Sequence, residues 1–118
     1  MLFKLPAPGK IEDFTKRLAL DVSRRYPAAI ANDPDQTVSQ RRINTILEGS
    51  FSSVYRFNLE NRLGVFRRTI LRDCFRWTLK EMGYDEKFID MATRMLMASL
   101  TRETTSTFEQ ADKPQALD

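Results

Sequence analysis

The chain has no histidine and a single cysteine, Cys74, among its 118 residues. Histidine is the commonest general base and the commonest transition-metal ligand, so its absence excludes Ser-His-Asp and Cys-His catalysis built from this chain alone. Zinc and iron–sulfur sites rest on several Cys or His donors, and haem on an axial one, so no metal site and no cofactor is expected. A lone cysteine rules out an internal disulfide and points to a reducing compartment. The four glycines stand isolated at positions 9, 49, 64 and 83, which leaves no glycine-rich phosphate loop. With only five prolines besides, chain-breaking positions are few, and long helices are favoured over many short strands. No run approaches the roughly 18–20 apolar residues of a membrane span. The N-terminal MLFKLPAPG is interrupted by proline where a signal peptide carries a continuous apolar core. A cytoplasmic protein with no membrane partner is the expectation.

What remains is the composition of an ordinary globular domain, 42% hydrophobic and 30% charged. The length fits one domain with a real core. Charge is unevenly spread: residues 1–82 hold 15 Lys/Arg against 9 Asp/Glu, and residues 83–118 hold 4 against 7. The body is basic and the last third acidic. Arginine outnumbers lysine 13 to 6, and its planar fork suits carboxylate and phosphate.

Periodicity predicts an all-α, single-domain bundle of four to five helices. Residues 1–9 read as an apolar, proline-bearing arm in which Leu2, Phe3 and Leu5 are free to pack across the domain or a neighbouring copy; residues 10–102 read as the helical domain and 103–118 as a flexible polar tail. From Lys10 to Tyr26, Ile11, Phe14, Leu18 and Val22 mark one helical face, stopped by Pro27. After a loop, Asp33-Pro34 resembles an N-cap with proline at the first helical position, opening a helix with Val38, Ile43, Ile46 and Leu47 inward and Arg41 and Arg42 outward. Gly49-Ser50 ends or bends it. Gly64 divides the next stretch into a short helix near 51–62 and a long one near 63–82. In the long helix Leu63, Phe66, Ile70, Cys74 and Trp77 form a stripe, widened by Leu71, Phe75, Leu79 and Met82. Gly83 suits the C′ position, and Asp85 the next N-cap, with Tyr84 and Ile89 spaced as a hydrophobic staple. The last helix, near 86–101, presents Phe88, Ile89, Met91, Met95, Leu96 and Leu100.

No catalytic residue is assigned. Cys74 sits within the apolar stripe and reads as an inert core residue. Glu12-Asp13 and Asp85-Glu86 read as first-turn acids rather than an acid/base couple. Asn32, Asp33 and Asp35 lack the glycine and terminal glutamate of a calcium loop. A non-enzymatic protein is the expectation.

The long helix carries an unusual charge pattern. Arg68, Arg72, Arg76 and Lys80 recur every four residues, with Arg62 and Thr69 on the same side. Like charges at that spacing share one helical face and repel, so something beyond the ladder should neutralise it. Three readings compete. The cations form a solvated face offset by Asp73 or by Asp85, Glu86 and Asp90; or they meet a protein partner or second copy; or they meet nucleic acid. The third is supported by the helix–turn–helix-like run from Thr37 to Asn61, with Arg41, Arg42, Ser52, Ser53, Arg56 and Asn58 as candidate contacts. Arg67 falls inside the apolar arc and should either snorkel or meet a carboxylate such as Glu48 or Asp90. The favoured expectation is a helical protein–protein interaction module, a homo-oligomer or small subunit, with Arg62, Arg68, Arg72, Arg76 and Lys80 at the contact. A nucleic-acid-binding protein is the alternative.

Overall fold

The computed structural model describes residues 8–35 and 38–102, and every regular element among them is a helix. The order is α1 (Pro8–Arg25), α2 (Ala28–Ala31), α3 (Gln40–Ser50), α4 (Val54–Asn61), α5 (Val65–Glu81) and α6 (Glu86–Leu100). With α2 a single turn, the chain is the all-α bundle of five helices that its periodicity predicts. The expected arm overlaps α1 by two residues, since Pro8 and Gly9 belong to that helix; residues 1–7 and the expected tail, 103–118, lie outside the described residues.

Two helix starts differ from expectation. Asp33-Pro34 opens no helix: the Asp33 carboxylate instead accepts from the Asp35 amide at 2.9 Å, a local turn. The cap of α3 is Ser39, whose hydroxyl accepts from the Arg42 amide at 3.2 Å. The segment expected as a loop holds α2. Glu12 and Asp13 fall beyond the first turn of α1, which begins at Pro8.

The α5–α6 corner agrees closely with the sequence reading. Gly83 takes φ 97°, a left-handed conformation that favours glycine, and Asp85 caps α6 by accepting from the Phe88 amide at 2.9 Å. Asn32 clamps this corner from across the fold. Its amide donates to the Gly83 carbonyl at 2.7 Å and its carbonyl accepts from the Asp85 amide at 3.2 Å. The Tyr84 hydroxyl donates to the buried Tyr26 carbonyl at 2.6 Å, and its ring stacks on Phe88 with centroids 4.7 Å apart.

One core joins the five longer helices. Ile11, Leu18 and Val22 of α1 meet Leu47, Phe51 and Val54, then Leu71, Phe75 and Leu79 of α5 and Ile89, Leu96 and Leu100 of α6. Phe51 and Phe75 meet edge to face at 5.7 Å, and Phe14 stacks on Phe57 at 3.8 Å. α5 is central, packing on α1 along one flank and α6 along the other. α3 rests chiefly on α1, and α4 on α6.

The core face of α5 is therefore Leu71, Phe75 and Leu79, all fully buried, and not the stripe through Phe66 and Trp77 that the spacing suggests. Phe75→Ala or Leu71→Ala should cost about 3–5 kcal/mol in denaturant unfolding, whereas Phe66→Ala should stay within about 0.5 kcal/mol. The Tyr84 phenol is pushed up to about 12, first by burial and then by Tyr26. Burial, then Asp85, raises Tyr26 as well. A phenol with a higher pKa folded than unfolded stabilises fully below its unfolded value of 10 and loses that contribution as pH climbs towards 12. Unfolding free energy measured against pH should thus fall across that window, and Tyr84→Phe should flatten the fall while costing about 1 kcal/mol at neutral pH.

Candidate interaction surface on α5

Burying Leu71, Phe75 and Leu79 fixes the rotation of α5 and so decides where every other side chain on it goes. At about 100° per residue, Phe66, Ile70 and Trp77 cluster about 160° from the centre of the core face. They point away from the bundle. Phe66 is 74% exposed, Trp77 62% and Ile70 37%, with Val65 at the helix start 80% exposed. Water-facing aromatics in a row on one helix are unusual for a surface that meets only solvent.

The ladder lies on the flank shared with α6. Arg76 reaches Asp90 at 2.8 Å and Glu86 at 3.3 Å, and Lys80 reaches Glu86 at 3.8 Å. Arg72 pairs with Asp73 at 3.0 Å. Arg68 is half-buried and donates to the Leu63 carbonyl at 3.2 Å, closing the α4–α5 turn. The structure thus brings acids or a carbonyl to all four rungs, in line with an offset within the fold. Arg62 is exposed and stands apart as the C-cap of α4, with φ 49° in the left-handed region.

Arg67 is half-buried and makes no ion pair among the described residues; Asp90, one of its expected partners, is taken by Arg76. Without a carboxylate partner there, the pairing alternative finds no support, and half-burial is what the snorkelling alternative requires. Cys74 is only partly buried, on the α1 flank, with its sulfur 2.9 Å from the Thr15 hydroxyl. The methionines Met91, Met95 and Met97 pack against the core, and Met91 sulfur accepts from the Gln40 amide at 2.9 Å.

The helix–turn–helix-like residues do not form one reading surface. Asn58 is buried and its amide donates to the Leu100 carbonyl at 2.8 Å, tying down the end of α6 rather than facing solvent. Arg41, Arg42, Ser52, Ser53 and Arg56 are exposed, but α3 rests chiefly on α1 and α4 chiefly on α6, with little contact between the two. A paired helix–turn–helix requires the two to pack on each other.

Two open grooves border the outer face of α5. One, of about 230 Å³, runs towards α6 between Asp73, Arg76, Trp77, Lys80, Glu86 and Ile89. The other, of about 260 Å³, runs towards α1 between Lys16, Leu20, Thr78, Glu81 and Met82. Among the described residues no three acids or thiols gather as metal ligands would, and no helix is long and apolar enough to cross a membrane. Comparison with family models, with curated proteins and with solved structures found no match.

Sequence reasoning places Phe66, Ile70 and Trp77 in the core and so misses them as surface residues. A signal for them exists. The apolar arc of α5 exceeds what one core face needs, and the excess has to face outward. Since the ladder is half-exposed and paired locally, Arg76→Ala should cost no more than about 1 kcal/mol in thermal unfolding, and less as salt rises.

Proposed function

We propose that this chain is a non-enzymatic helical protein–protein interaction module that binds through the outer face of α5. The observation that carries the reading is the exposure of Phe66 and Trp77 on the side of α5 turned from the core. Exposed aromatics fit the anchor role, since Trp, Tyr and Arg dominate interface energetics and cluster at the centre of a contact. Arg76 and Lys80 line the groove beside Trp77 as a cationic rim, and Ile70 lies on the same outer face between the rings. A partner with an apolar ridge and an acidic edge fits best, because the rim would steer it and the strip would hold it. The single cysteine suits a reducing, cytoplasmic setting.

The nucleic-acid reading draws on the same cations and is less well supported. The ladder is paired within the fold, and Asn58 is committed to the Leu100 carbonyl. What favours it is that exposed rings beside arginines can stack bases.

The test compares the full chain with a Phe66→Asp, Trp77→Asp variant by light scattering and by affinity purification. Loss of either anchor should weaken a protein contact by roughly 2 kcal/mol, about thirtyfold in Kd, with helicity unchanged. Association that survives the double variant overturns the site. Co-purifying polynucleotide that disappears on charge reversal at Arg41, Arg42 and Arg56 overturns the function.

A further inference from the structure

A second surface, away from the outer face of α5, carries binding chemistry of its own. α3 rests chiefly on α1 and touches α6 only lightly, and a groove of about 410 Å³ lies between α3 and α6. It is larger than either groove beside α5 and shares no residue with them. We infer that this groove is a docking site for an acidic amphipathic helix of a partner protein, a second contact independent of the α5 strip.

Charge is the first support. α6 divides its charged residues between two flanks. Glu86 and Asp90 turn to the α5 ladder, where Arg76 and Lys80 take them up. Lys87 and Arg94 line the groove instead, are exposed, and form no ion pair among the described residues. Two unpaired cations beside an apolar floor suit an anionic ligand. Gln40 adds a donor from the α3 wall. Its amide nitrogen donates to the Asn44 side-chain carbonyl and to Met91 sulfur, each at 2.9 Å. Sulfur is a weak acceptor, so an arriving carboxylate replaces it with a stronger bond.

The floor is the second support. Tyr26 and Phe88 line the groove with ring centroids 5.5 Å apart, and Phe88 is braced in turn by its stack on Tyr84. A floor ordered before the ligand arrives lowers the entropic cost of binding. Ile43 and Met91 continue it, both partly buried against the core, and the unbranched methionine adapts to what it meets.

Spacing is the third. Lys87, Met91 and Arg94 fall within an arc of about 60° on α6, the two cations about 10 Å apart along its axis. A helix laid along α6 with acids two turns apart and an apolar residue between them meets all three. Asp85 also lines the groove, beyond Lys87 at the start of α6. A helix with acids at two positions avoids it, whereas a nucleic-acid backbone carries a charge at every nucleotide and does not.

The probe is a fluorescein-labelled, end-capped peptide of about fifteen residues, with leucine on one helical face and glutamate on the other. The full chain should bind it in the micromolar range, more weakly as salt rises from about 50 to about 500 mM. Lys87→Glu with Arg94→Glu should weaken binding about tenfold with helicity unchanged, since both side chains are exposed. Phe66→Asp with Trp77→Asp should leave it as it was. In methyl-labelled chain the Met91 signal should move on titration, and that of Met82, in the α1–α5 groove, should stay. Binding that survives the reversal at Lys87 and Arg94, or falls with the α5 variant instead, overturns the inference. Equal affinity for the same peptide with lysine in place of glutamate overturns it too. No anisotropy change with about 1 mM chain does the same. A single-stranded oligonucleotide that moves Met91 at lower concentration than the peptide also overturns it, and assigns the groove to nucleic acid. Self-association abolished by the same reversal overturns it in favour of a second copy. The reversal leaves Phe66 and Trp77 in place, so failure of the groove leaves the α5 reading standing.

Discussion

The rest of the structure depends on the seam of Leu71, Phe75 and Leu79. These three bury completely and set the rotation of α5 between α1 and α6. Turning α5 to bury Phe66 and Trp77 instead would expose three residues of the core and open a cavity beside Phe51, a loss of several kcal/mol on any estimate of large apolar burial. With the rotation set, the ladder falls against the acids of α6 and the second apolar row falls on the outside. Both surface features are consequences of one packing decision.

The same rotation explains why charge alone is a poor guide here. A basic stripe four residues apart suggests an external anion, but Glu86 and Asp90 come after a tight corner and return to that flank. The corner is held by Gly83, the Asp85 cap and the Asn32 clamp, and Asp85 spends its carboxylate on the Phe88 amide, with no ion pair to the ladder among the described residues. The uneven charge of the two parts of the chain is thereby partly an internal match. The apolar row has no such match among the described residues.

Much of the fold was legible. The end of α1 before Pro27, the break at Gly64, the left-handed Gly83 and the Asp85 cap each follow from one residue type in one position. What was not legible had physical causes. Asp33-Pro34 and Ser39 both carry plausible cap chemistry, and only tertiary packing of Leu47 and its neighbours selects the second. In α5 apolar residues occupy most of the circumference, so periodicity offers two faces without ranking them. The stripe through Phe66 and Trp77 has the larger rings, but Leu71, Phe75 and Leu79 stack at a single spacing and interdigitate with α1 and α6. For Asn58, a polar residue suited to base reading is equally suited to ending a helix, and burial decided between them. The exposed apolar strip was hidden for the same reason as the α5 rotation, since Phe66, Ile70 and Trp77 look like core until the core is known.

The rotation of α5 is best checked by a nuclear Overhauser map of the aromatic rings. Cross-peaks are expected between Phe51 and Phe75, whose ring centroids lie 5.7 Å apart, and none from the Trp77 indole to Phe51, Leu47 or Leu96. Indole cross-peaks to those core residues would show α5 rotated the other way, and would contradict both the seam and the surface built on it.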